Sequence, residues 1–423
     1  MLLHYILVAL WATVAYARTF SEDISNMPEL SEMSSYLNQT PEAKDALDNQ
    51  KNVTLLALEN SAFRDFVGQG QENGNESSSN SSLIRGIFSY QLVKGLHNSE
   101  QITTTPQFSP TELNDEGFTN VSSGQVVQLV EKDGKDYAIS GLNDNSTIIK
   151  PGVDVESGVI HVIDRPLTLP QSVTDTLQAA NLTSFQGAVQ RGNAVSNAND
   201  AKDITVFAPR NLGFQRIGSA FENISTENLG RIANYHIVRG KVLYSPDLND
   251  GDYPTYADKD LHISMVDGRA YVNSARVEST NLLVNNGVIH VISDVLNPNN
   301  DTAKPVPDAD PPPPAFENEN STSTDPLTDG IPSPTSVIPL PGVTNISEGG
   351  GGGGGGGESS TSPSPTATVT ETETSGGGGG GGGVGGGPGP TATTTPQPGA
   401  AATAPAKAGL AAAVGLGVVL INA

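Results

Sequence analysis

The stretch Gly158-Val-Ile-His-Val-Ile163 occurs a second time in this chain, as Gly287-Val-Ile-His-Val-Ile292. Each copy is a short apolar run rich in branched side chains, which predicts a β-strand. The two copies are much further apart than the units of a solenoid, whose period is typically about 20 to 50 residues. The sequence therefore predicts one whole domain that is present twice.

Two further segments are repeated in the same order and with similar spacing. Val53–Leu58 in the first half corresponds to Ile204–Pro209 in the second, and Tyr90–Gly95 corresponds to Tyr235–Gly240. The repeat thus extends over most of the first 300 residues. We expect each copy to bury a core of its own.

The second copy has the clearer secondary-structure signals. Apolar spacing predicts a helix over 172–190 with Ser172 as its N-cap, and a second helix over 229–238. The branched and aromatic run Ile204–Pro209 predicts a buried strand that ends at its proline. Residues 261–292 are typical of strands joined by turns at Asp267-Gly268 and Asn285-Asn-Gly287.

Composition excludes several classes of function. The chain has 423 residues and a formal net charge of −24, so it lacks the clustered basic residues with which proteins bind nucleic acid. It has no cysteine, which excludes disulfides, thiolate metal sites and cysteine nucleophiles. Stability must therefore come from packing.

The N-terminus predicts secretion. Residues 1–17 form a short apolar stretch that ends in Ala15-Tyr16-Ala17, which is typical of a signal peptide cut before Arg18. A buried N-terminal helix is the alternative. Eleven Asn-x-Ser/Thr sequons also favour secretion and predict N-glycosylation. They begin at Asn38, Asn52, Asn75, Asn80, Asn120, Asn145, Asn181, Asn223, Asn300, Asn320 and Asn345.

The composition changes after residue 298. Residues 299–398 are rich in Pro, Ser, Thr and Gly, which predicts a disordered, O-glycosylated stalk. Residues 399–423 begin with small residues and end in a short apolar run, the pattern of a glycosylphosphatidylinositol (GPI) attachment signal. Gly399 or Ala400 is the predicted attachment residue. A marginal transmembrane anchor is the alternative.

The repeated segments resemble the fasciclin-like domain. Ile204–Pro209 with Phe214 is similar to that family's first conserved segment, Asn286–Ile292 with Leu296 to its last, and Tyr235-His236 to its Tyr-His pair. The resemblance implies an α+β fold, with a β-sandwich or wedge and packed helices, in two tandem domains over 19–166 and 168–298. It also implies a role in adhesion or matrix contacts.

The complete layout resembles fungal GPI-anchored cell-surface proteins with two such domains. This implies a location on the extracellular face of the plasma membrane or in the cell wall, and a protein or glycan of the surface, wall or matrix as partner. The resemblance implies that recognition uses exposed surface around Tyr235, His236 and Ile237. The alternative is that Tyr235 and His236 form a structural pair packed under the sheet. In the first copy Gln91 replaces the histidine, so the second domain is the favoured binding domain.

Two features of the sequence are compatible with a metal-binding site, and for both we favour an interpretation without a metal. His161 and His290 lie in equivalent strands, but no second histidine recurs beside them, so we expect structural hydrogen bonds. The acidic loop Asp247–Asp252 does not fit an EF-hand, so we expect a solvated loop in place of a calcium site. No cofactor is predicted.

The sequence thus predicts a non-enzymatic adhesion or wall-contact glycoprotein. One alternative is a glycosylated coat or spacer with no specific contacts. The other is a wall-remodelling carbohydrate-active enzyme, which would need a cleft with two close carboxylates.

Overall fold

The computed structural model describes residues 18–71 and 78–340. The predicted signal peptide at 1–17, the predicted attachment signal at 399–423 and the predicted stalk from 341 onward lie outside the described residues. Within the described part of the chain, no helix combines the length and apolar character needed to cross a membrane.

Domain 1 begins with a helical layer and continues into a sheet. Thr19 caps its first helix in a capping box with Glu22, and Phe20 and Ile24 of that helix are fully buried. The helices are α1 (Phe20–Ser25), α2 (Ser31–Gln39), α3 (Pro41–Asp48), α4 (Asn60–Gln71) and α5 (Ser78–Tyr90). The strands are β1 (Val53–Leu58), β2 (Leu92–Lys94), β3 (Gln107–Pro110), β4 (Val126–Lys132), β5 (Lys135–Ile139), β6 (Asn145–Val155) and β7 (Gly158–Ile163).

Domain 2 repeats this order. The helices are α6 (Val173–Ala179), α7 (Thr183–Arg191), α8 (Val195–Asn199), α9 (Asn211–Gln215) and α10 (Thr226–Tyr235). The strands are β8 (Ile204–Pro209), β9 (Ile237–Val238), β10 (Gly251–Pro254), β11 (Asp260–Val266), β12 (Arg269–Val272), β13 (Ala275–Val284) and β14 (Gly287–Ile292). The predicted helix over 172–190 is two helices, because Asn181 adopts a left-handed conformation (φ 56°) between them. The Ser172 cap is confirmed, since its side chain accepts the N–H of Asp175.

The repeated apolar segment is an interior strand of each sheet. β7 pairs in parallel with β1 and antiparallel with β6, and β14 pairs in the same way with β8 and β13. Every residue of these two interior strands is buried, because helices cover one face and the rest of the sheet covers the other. The initial glycine is required by the close parallel pair: a Cβ at Gly158 would lie 2.0 Å from the carbonyl oxygen of Val53.

Each sheet has seven strands and curls on itself. The order in domain 1 is β2-β1-β7-β6-β5-β4-β3, and that in domain 2 is β10-β11-β12-β13-β14-β8-β9. Single bridges join the two outer edges, between Val93 and Thr111 in domain 1 and between Val238 and Thr255 in domain 2. The α+β class is confirmed, and the predicted sandwich or wedge takes the form of one barrel-like sheet with helices on one side.

The chain after domain 2 corrects the predicted start of the stalk. Residues 299–340, here called the strap, contain no helix or strand, yet they lie against domain 2. Ala315, Leu327 and Leu340 are buried, and Phe316 packs against Phe221. Composition alone suggested disorder because the strap has few apolar side chains. Those few insert into domain 2, and the many prolines reduce the entropy lost on ordering.

Candidate functional site

The three residues predicted to mark the adhesion surface lie where α10 ends and β9 begins. Ser225 starts α10 by accepting the N–H of Asn228, and His236 is the C-cap residue. Tyr235, His236 and Ile237 are each 0% exposed. The implied role of these side chains in surface recognition is therefore corrected: none of the three reaches solvent, and the alternative of a structural pair is what the geometry supports.

His236 joins three parts of domain 2 through its ring and its backbone carbonyl group. Its Nδ1 donates to the carbonyl oxygen of Ile232 (2.7 Å), and its Nε2 accepts the backbone N–H of Leu296 (3.0 Å). Both bonds are satisfied by the neutral ring, and burial lowers the pKa of His236 to about 4. Its own carbonyl oxygen accepts the N–H of Phe207 in β8. The residue thus fastens α10 to the sheet and to the segment after β14.

Tyr235 fastens the same helix to the opposite edge of the sheet. Its hydroxyl donates to the carbonyl oxygen of Asp260 (3.1 Å) and accepts from the side-chain amide of Asn273 (2.9 Å). Burial raises the pKa of Tyr235. Asn273 lies in a turn with positive φ (48°), so the tyrosine also holds the β12–β13 turn in place.

Domain 1 keeps the tyrosine and loses the histidine. The hydroxyl of Tyr90 donates to the carbonyl oxygen of Val126 (2.8 Å). Gln91 is 1% exposed, and its carbonyl oxygen accepts the N–H of Leu56, as that of His236 accepts Phe207. However, among the described residues the side-chain nitrogen of Gln91 has no hydrogen-bond partner. The glutamine therefore repeats the backbone role of the histidine and not its side-chain role.

The prediction that His161 and His290 make structural hydrogen bonds is confirmed. The Nε2 of His161 donates to the carbonyl oxygen of His97 (2.6 Å), and that of His290 donates to Leu243 (2.7 Å). Both carbonyls belong to the loop that follows the short edge strand, β2 or β9. Burial lowers the pKa of His290 to about 4 and lowers that of His161 as well.

The acidic loop lies at the free edge of domain 2, around β10. Asp247, Asp250 and Asp252 are exposed, and the carboxylate of Asp252 contacts Nδ1 of His262 across the β10–β11 pair (2.7 Å). Asp250 accepts the backbone N–H of Met265 (2.6 Å). The prediction of a solvated loop is confirmed. Across the described ranges of the chain, no three His, Asp or Glu side chains come together in a way that could hold a metal ion.

A buried charge cluster lies where the strap leaves domain 2, and no motif in the sequence indicates that its members meet. Glu278 forms ion pairs with Arg210 and Arg276, both at 3.3 Å, and Asp294 forms one with Arg216. Asp294 is almost fully buried, and this burial raises its pKa despite the two arginines. The cluster fixes the chain that follows β14.

The domains touch through an aromatic stack that sequence reasoning also missed. The rings of Phe108 in β3 and Tyr244 are parallel within 8° and 4.3 Å apart. Val126, Leu283 and Val288 pack around them. Neither aromatic belongs to a repeated segment, so no pattern in the sequence pairs them.

Polar contacts complete this interface at one of the sequons. The side-chain amide of Asn120 donates to the carbonyl oxygen of Asp200 (2.9 Å), and its backbone N–H donates to that of Asn285 (2.6 Å). The carboxylate of Asp203 accepts the backbone N–H (2.7 Å) and the hydroxyl of Ser122. Because the amide nitrogen that a glycan would occupy already binds domain 2, glycosylation at Asn120 competes with the interface.

The other sequons divide by exposure. Asn300 is half-buried, and its side chain donates to the carbonyl oxygen of Ala315. Asn75 and Asn345 lie outside the described residues, as does the side chain of Asn80. The exposed asparagines, which are open to glycosylation, are Asn38, Asn52, Asn145, Asn181, Asn223 and Asn320.

A shallow cleft of about 270 Å³ lies between α6 and the strap. Gln171, Asp175 and Gln178 line one side, and Pro334–Ser336 line the other. Its one carboxylate, Asp175, is hydrogen-bonded to Ser172. Glycoside hydrolysis ordinarily uses two carboxyl groups. The cleft therefore gives no support to the wall-remodelling alternative.

Comparison with known proteins places these features in a family. The family model described as "Fasciclin domain" matches residues 28–170 and 180–298. The chain is 89% identical over 350 residues to a fasciclin-like arabinogalactan protein of Arthroderma benhamiae, covering 83% of each chain. It is 28% identical over 282 residues to the fasciclin-like arabinogalactan protein elcF of Phaeosphaeria nodorum, covering 66% of this chain and 88% of that one.

Among solved structures, a FAS1 domain pair from the insect cell adhesion molecule fasciclin I matches with 19% identity and a TM-score of 0.31, over 65% of this chain and 98% of that one. The matches to families and relatives are of the fasciclin type and indicate no enzyme family. The family model alone covers more than half of the chain, in the two regions that fold as separate barrel-like units. The chain therefore belongs to the fasciclin domain family, of which it carries two members in tandem.

Proposed function

We propose that this chain is a non-enzymatic glycoprotein that uses its two fasciclin domains to contact another cell or the cell wall. The observation that supports this most is the interface between the domains. It joins two members of an adhesion-type family through the Phe108–Tyr244 stack and the Asn120 contacts, so that both present their outer surfaces from one head. Contacts that are weak singly become strong when many such heads share one surface.

The proposal includes an extracellular, membrane-anchored location. The similarity to fasciclin-like arabinogalactan proteins favours a cell-surface or extracellular protein. The proposed location has two specific components, which are secretion through the signal peptide at 1–17 and GPI attachment at Gly399 or Ala400. Treating cells that express the full chain with a phosphatidylinositol-specific phospholipase tests them. Release into the medium is expected, and retention on untreated and treated cells alike would contradict the anchor.

Recognition must use exposed side chains next to the buried Tyr235-His236-Ile237 segment. Arg231 projects from α10, and Arg239 and Lys241 follow β9; all three are exposed. They are basic side chains in a strongly acidic chain, so they favour an anionic partner, a glycan or protein of the surface or wall.

A display experiment tests this surface. Non-adherent cells that display the full chain should aggregate or bind isolated wall material. Cells that display the double variant Arg231→Glu/Lys241→Glu should bind at least tenfold less. Arg191→Glu, at an exposed basic position at the end of α7, is the matched control and should bind normally. Equal binding by all three chains would refute this recognition surface. Absence of binding by the unaltered chain would refute adhesion.

The exposed sequons support a second candidate, a glycan coat or spacer. Their six asparagines are distributed over both domains and the strap. Replacing all six by Gln separates the candidates. A coat loses its effect with its glycans, whereas adhesion through the protein surface persists.

A further inference from the structure

The strap occupies a groove on the helical side of domain 2, formed by the end of α6, by α7, by α9 and by residues 218–221. The groove admits the strap's backbone at distances that ordinary side chains would prevent. A Cβ at Gly187 would lie 2.0 Å from the carbonyl oxygen of Leu327, and one at Gly218 would lie 2.1 Å from Oγ1 of Thr322. Two glycines thus open the groove for an extended chain.

Main-chain hydrogen bonds hold the strap along this groove. The N–H of Thr322 donates to the carbonyl oxygen of Gln215 (2.8 Å), and the N–H of Ser219 donates to that of Asn320 (3.1 Å). Further along, the N–H of Ile338 donates to Ala179 (3.0 Å). Bonds of this kind supply affinity for an extended peptide, as they do when a protein binds a partner's strand.

Side-chain contacts make the groove selective. The carboxylate of Asp325 accepts from the side-chain amides of Asn211 (2.9 Å) and Gln215 (2.6 Å). Two residues further on, Leu327 adopts a positive φ (66°) and inserts its side chain into the core of domain 2. The groove therefore recognises an acidic residue followed by an apolar one at a defined spacing.

The connection between domain 2 and this docked segment is held weakly. Residues 302–311 are exposed or half-buried, and Val306 is 43% exposed. The ion pairs at the two ends of this connection, Lys259–Asp301 and Arg276–Asp310, each have an exposed carboxylate and stabilise little. Ten extended residues span about 35 Å, which is enough to reach the same groove on a neighbouring molecule.

We propose that the groove binds the strap of a second copy of this chain, by reciprocal exchange of residues 312–340. The glycine, main-chain and side-chain contacts described above all join residues 312–340 to the groove, so an exchanged pair reproduces them and forms a closed, symmetric dimer. Crowding on one surface, or apposition of two, raises the effective concentration that favours exchange. The inference names a second copy of this chain as the partner in the proposed adhesion. It rests on that function only in placing the meeting of the two copies at cell surfaces.

Cysteine pairs test the exchange in the full chain, which has no cysteine of its own. A Cβ at residue 218 would lie 2.7 Å from the Cβ of Thr322, so a shift of about 1 Å allows a disulfide in Gly218→Cys/Thr322→Cys. The decisive sample is a concentrated mixture of the two single variants under mild oxidation. We expect disulfide-linked heterodimer on non-reducing electrophoresis, at least tenfold above dimer in either variant alone.

Two controls keep the result specific. Val306→Cys lies in the connection, outside the groove, and should not cross-link to Gly218→Cys. Adding Leu327→Asp to the Thr322→Cys chain should abolish heterodimer, because it removes the apolar insertion. An undiminished yield in either control would mean random collision and would overturn the proposal. So would a double variant that cross-links only within its own chain while the mixture yields no heterodimer.

A cell assay separates this inference from the proposed function. Cells that display the double variant and are oxidised while dispersed should fail to aggregate until they are reduced, because the disulfide then locks each strap in the groove that it already occupies. Aggregation that survives oxidation would overturn exchange as the adhesive contact and leave adhesion itself standing. Failure of the unaltered chain to aggregate cells would count against adhesion alone, since exchange is measured in solution.

Discussion

The helical faces of the two domains have equivalent helices, but the face of domain 1 is open to solvent and that of domain 2 is covered by the strap. Asn60 in domain 1 accepts the N–H of Glu32 (2.9 Å), and Asn211 in domain 2 accepts that of Ser184 (3.1 Å), which fixes the register between the faces. In that register three positions change together where the strap lies. Ser35, Arg64 and Val67 of domain 1 stand where domain 2 has Gly187, Gln215 and Gly218.

The difference shows how a duplicated fold acquires a covered surface without altering its sheet. In domain 1, Glu32 and Arg64 form a solvent-exposed ion pair (3.0 Å), and Ser35 is exposed. In domain 2, Ser184, Gln186 and Gly187 are buried, and Gly187 lies directly beneath the strap. Small and neutral residues thus mark the face that receives a chain, and charged residues mark the face that meets water.

The largest expected difference between the two domains is in their stability at acid pH. His236 and His290 in domain 2 have pKa values of about 4, against an ordinary 6.5. Between these values the unfolded chain binds protons that the folded domain does not, so stability is complete above pH 6.5 and falls as the pH drops toward 4. Each histidine accounts for about 3 kcal/mol. In domain 1, Gln91 does not titrate, and His161 is the buried histidine whose lowered pKa acts in this direction.

Hydrogen exchange at pH 7 and pH 4.5, resolved by peptide mass spectrometry, measures this difference. Peptides of β8, β14 and α10 should lose more protection than their counterparts in domain 1. The raised pKa of Asp294 works the other way, since the folded state then holds that proton more tightly, and it reduces the loss at the acid end. Equal losses in both domains would show that the buried histidines do not govern acid stability.

The sheet could be predicted from sequence and the strap could not, for physical reasons. The strand Gly158–Ile163 and its repeat are buried on both faces, so their apolar runs are continuous and visible in the sequence. The strap binds through backbone groups and through glycines on the opposite partner, which leave no periodic pattern in its own residues. The resemblance implied recognition around Tyr235-His236, and the structure supports the alternative of a packed pair, because both side chains bond to backbone groups.

Filling the groove should have the next largest effect. Gly187→Val places side-chain atoms where the carbonyl oxygen of Leu327 lies, so the strap must leave or domain 2 must distort. We expect a loss of about 3 kcal/mol in the free energy of unfolding of domain 2, measured by urea denaturation. Ser35→Val, at the equivalent exposed position of domain 1, is the control and should change stability little. If both variants behave alike, the strap does not stabilise domain 2.

Restoring the histidine should make domain 1 more like domain 2. Gln91 is buried, and its side-chain nitrogen has no partner within the part of the chain that the structure describes, whereas the ring of His236 satisfies both of its nitrogens. Gln91→His should therefore stabilise domain 1 by about 1 kcal/mol at pH 7. It should also add acid sensitivity to the hydrogen-exchange profile of domain 1. A destabilised variant at pH 7 would mean that the two pockets differ in shape as well as in this residue.

Removing charge from the open face should have the smallest effect. Glu32→Ser/Arg64→Gln gives domain 1 the residues that domain 2 carries under its strap, and it deletes a pair whose side chains are 41% and 59% exposed. Exposed pairs of this kind contribute about 0.5 kcal/mol or less, so the urea midpoint of domain 1 should barely move. A loss above about 1 kcal/mol would mean that the pair holds α2 against α4. The face of domain 1 would then be closed by its own charges, where domain 2 depends on its strap.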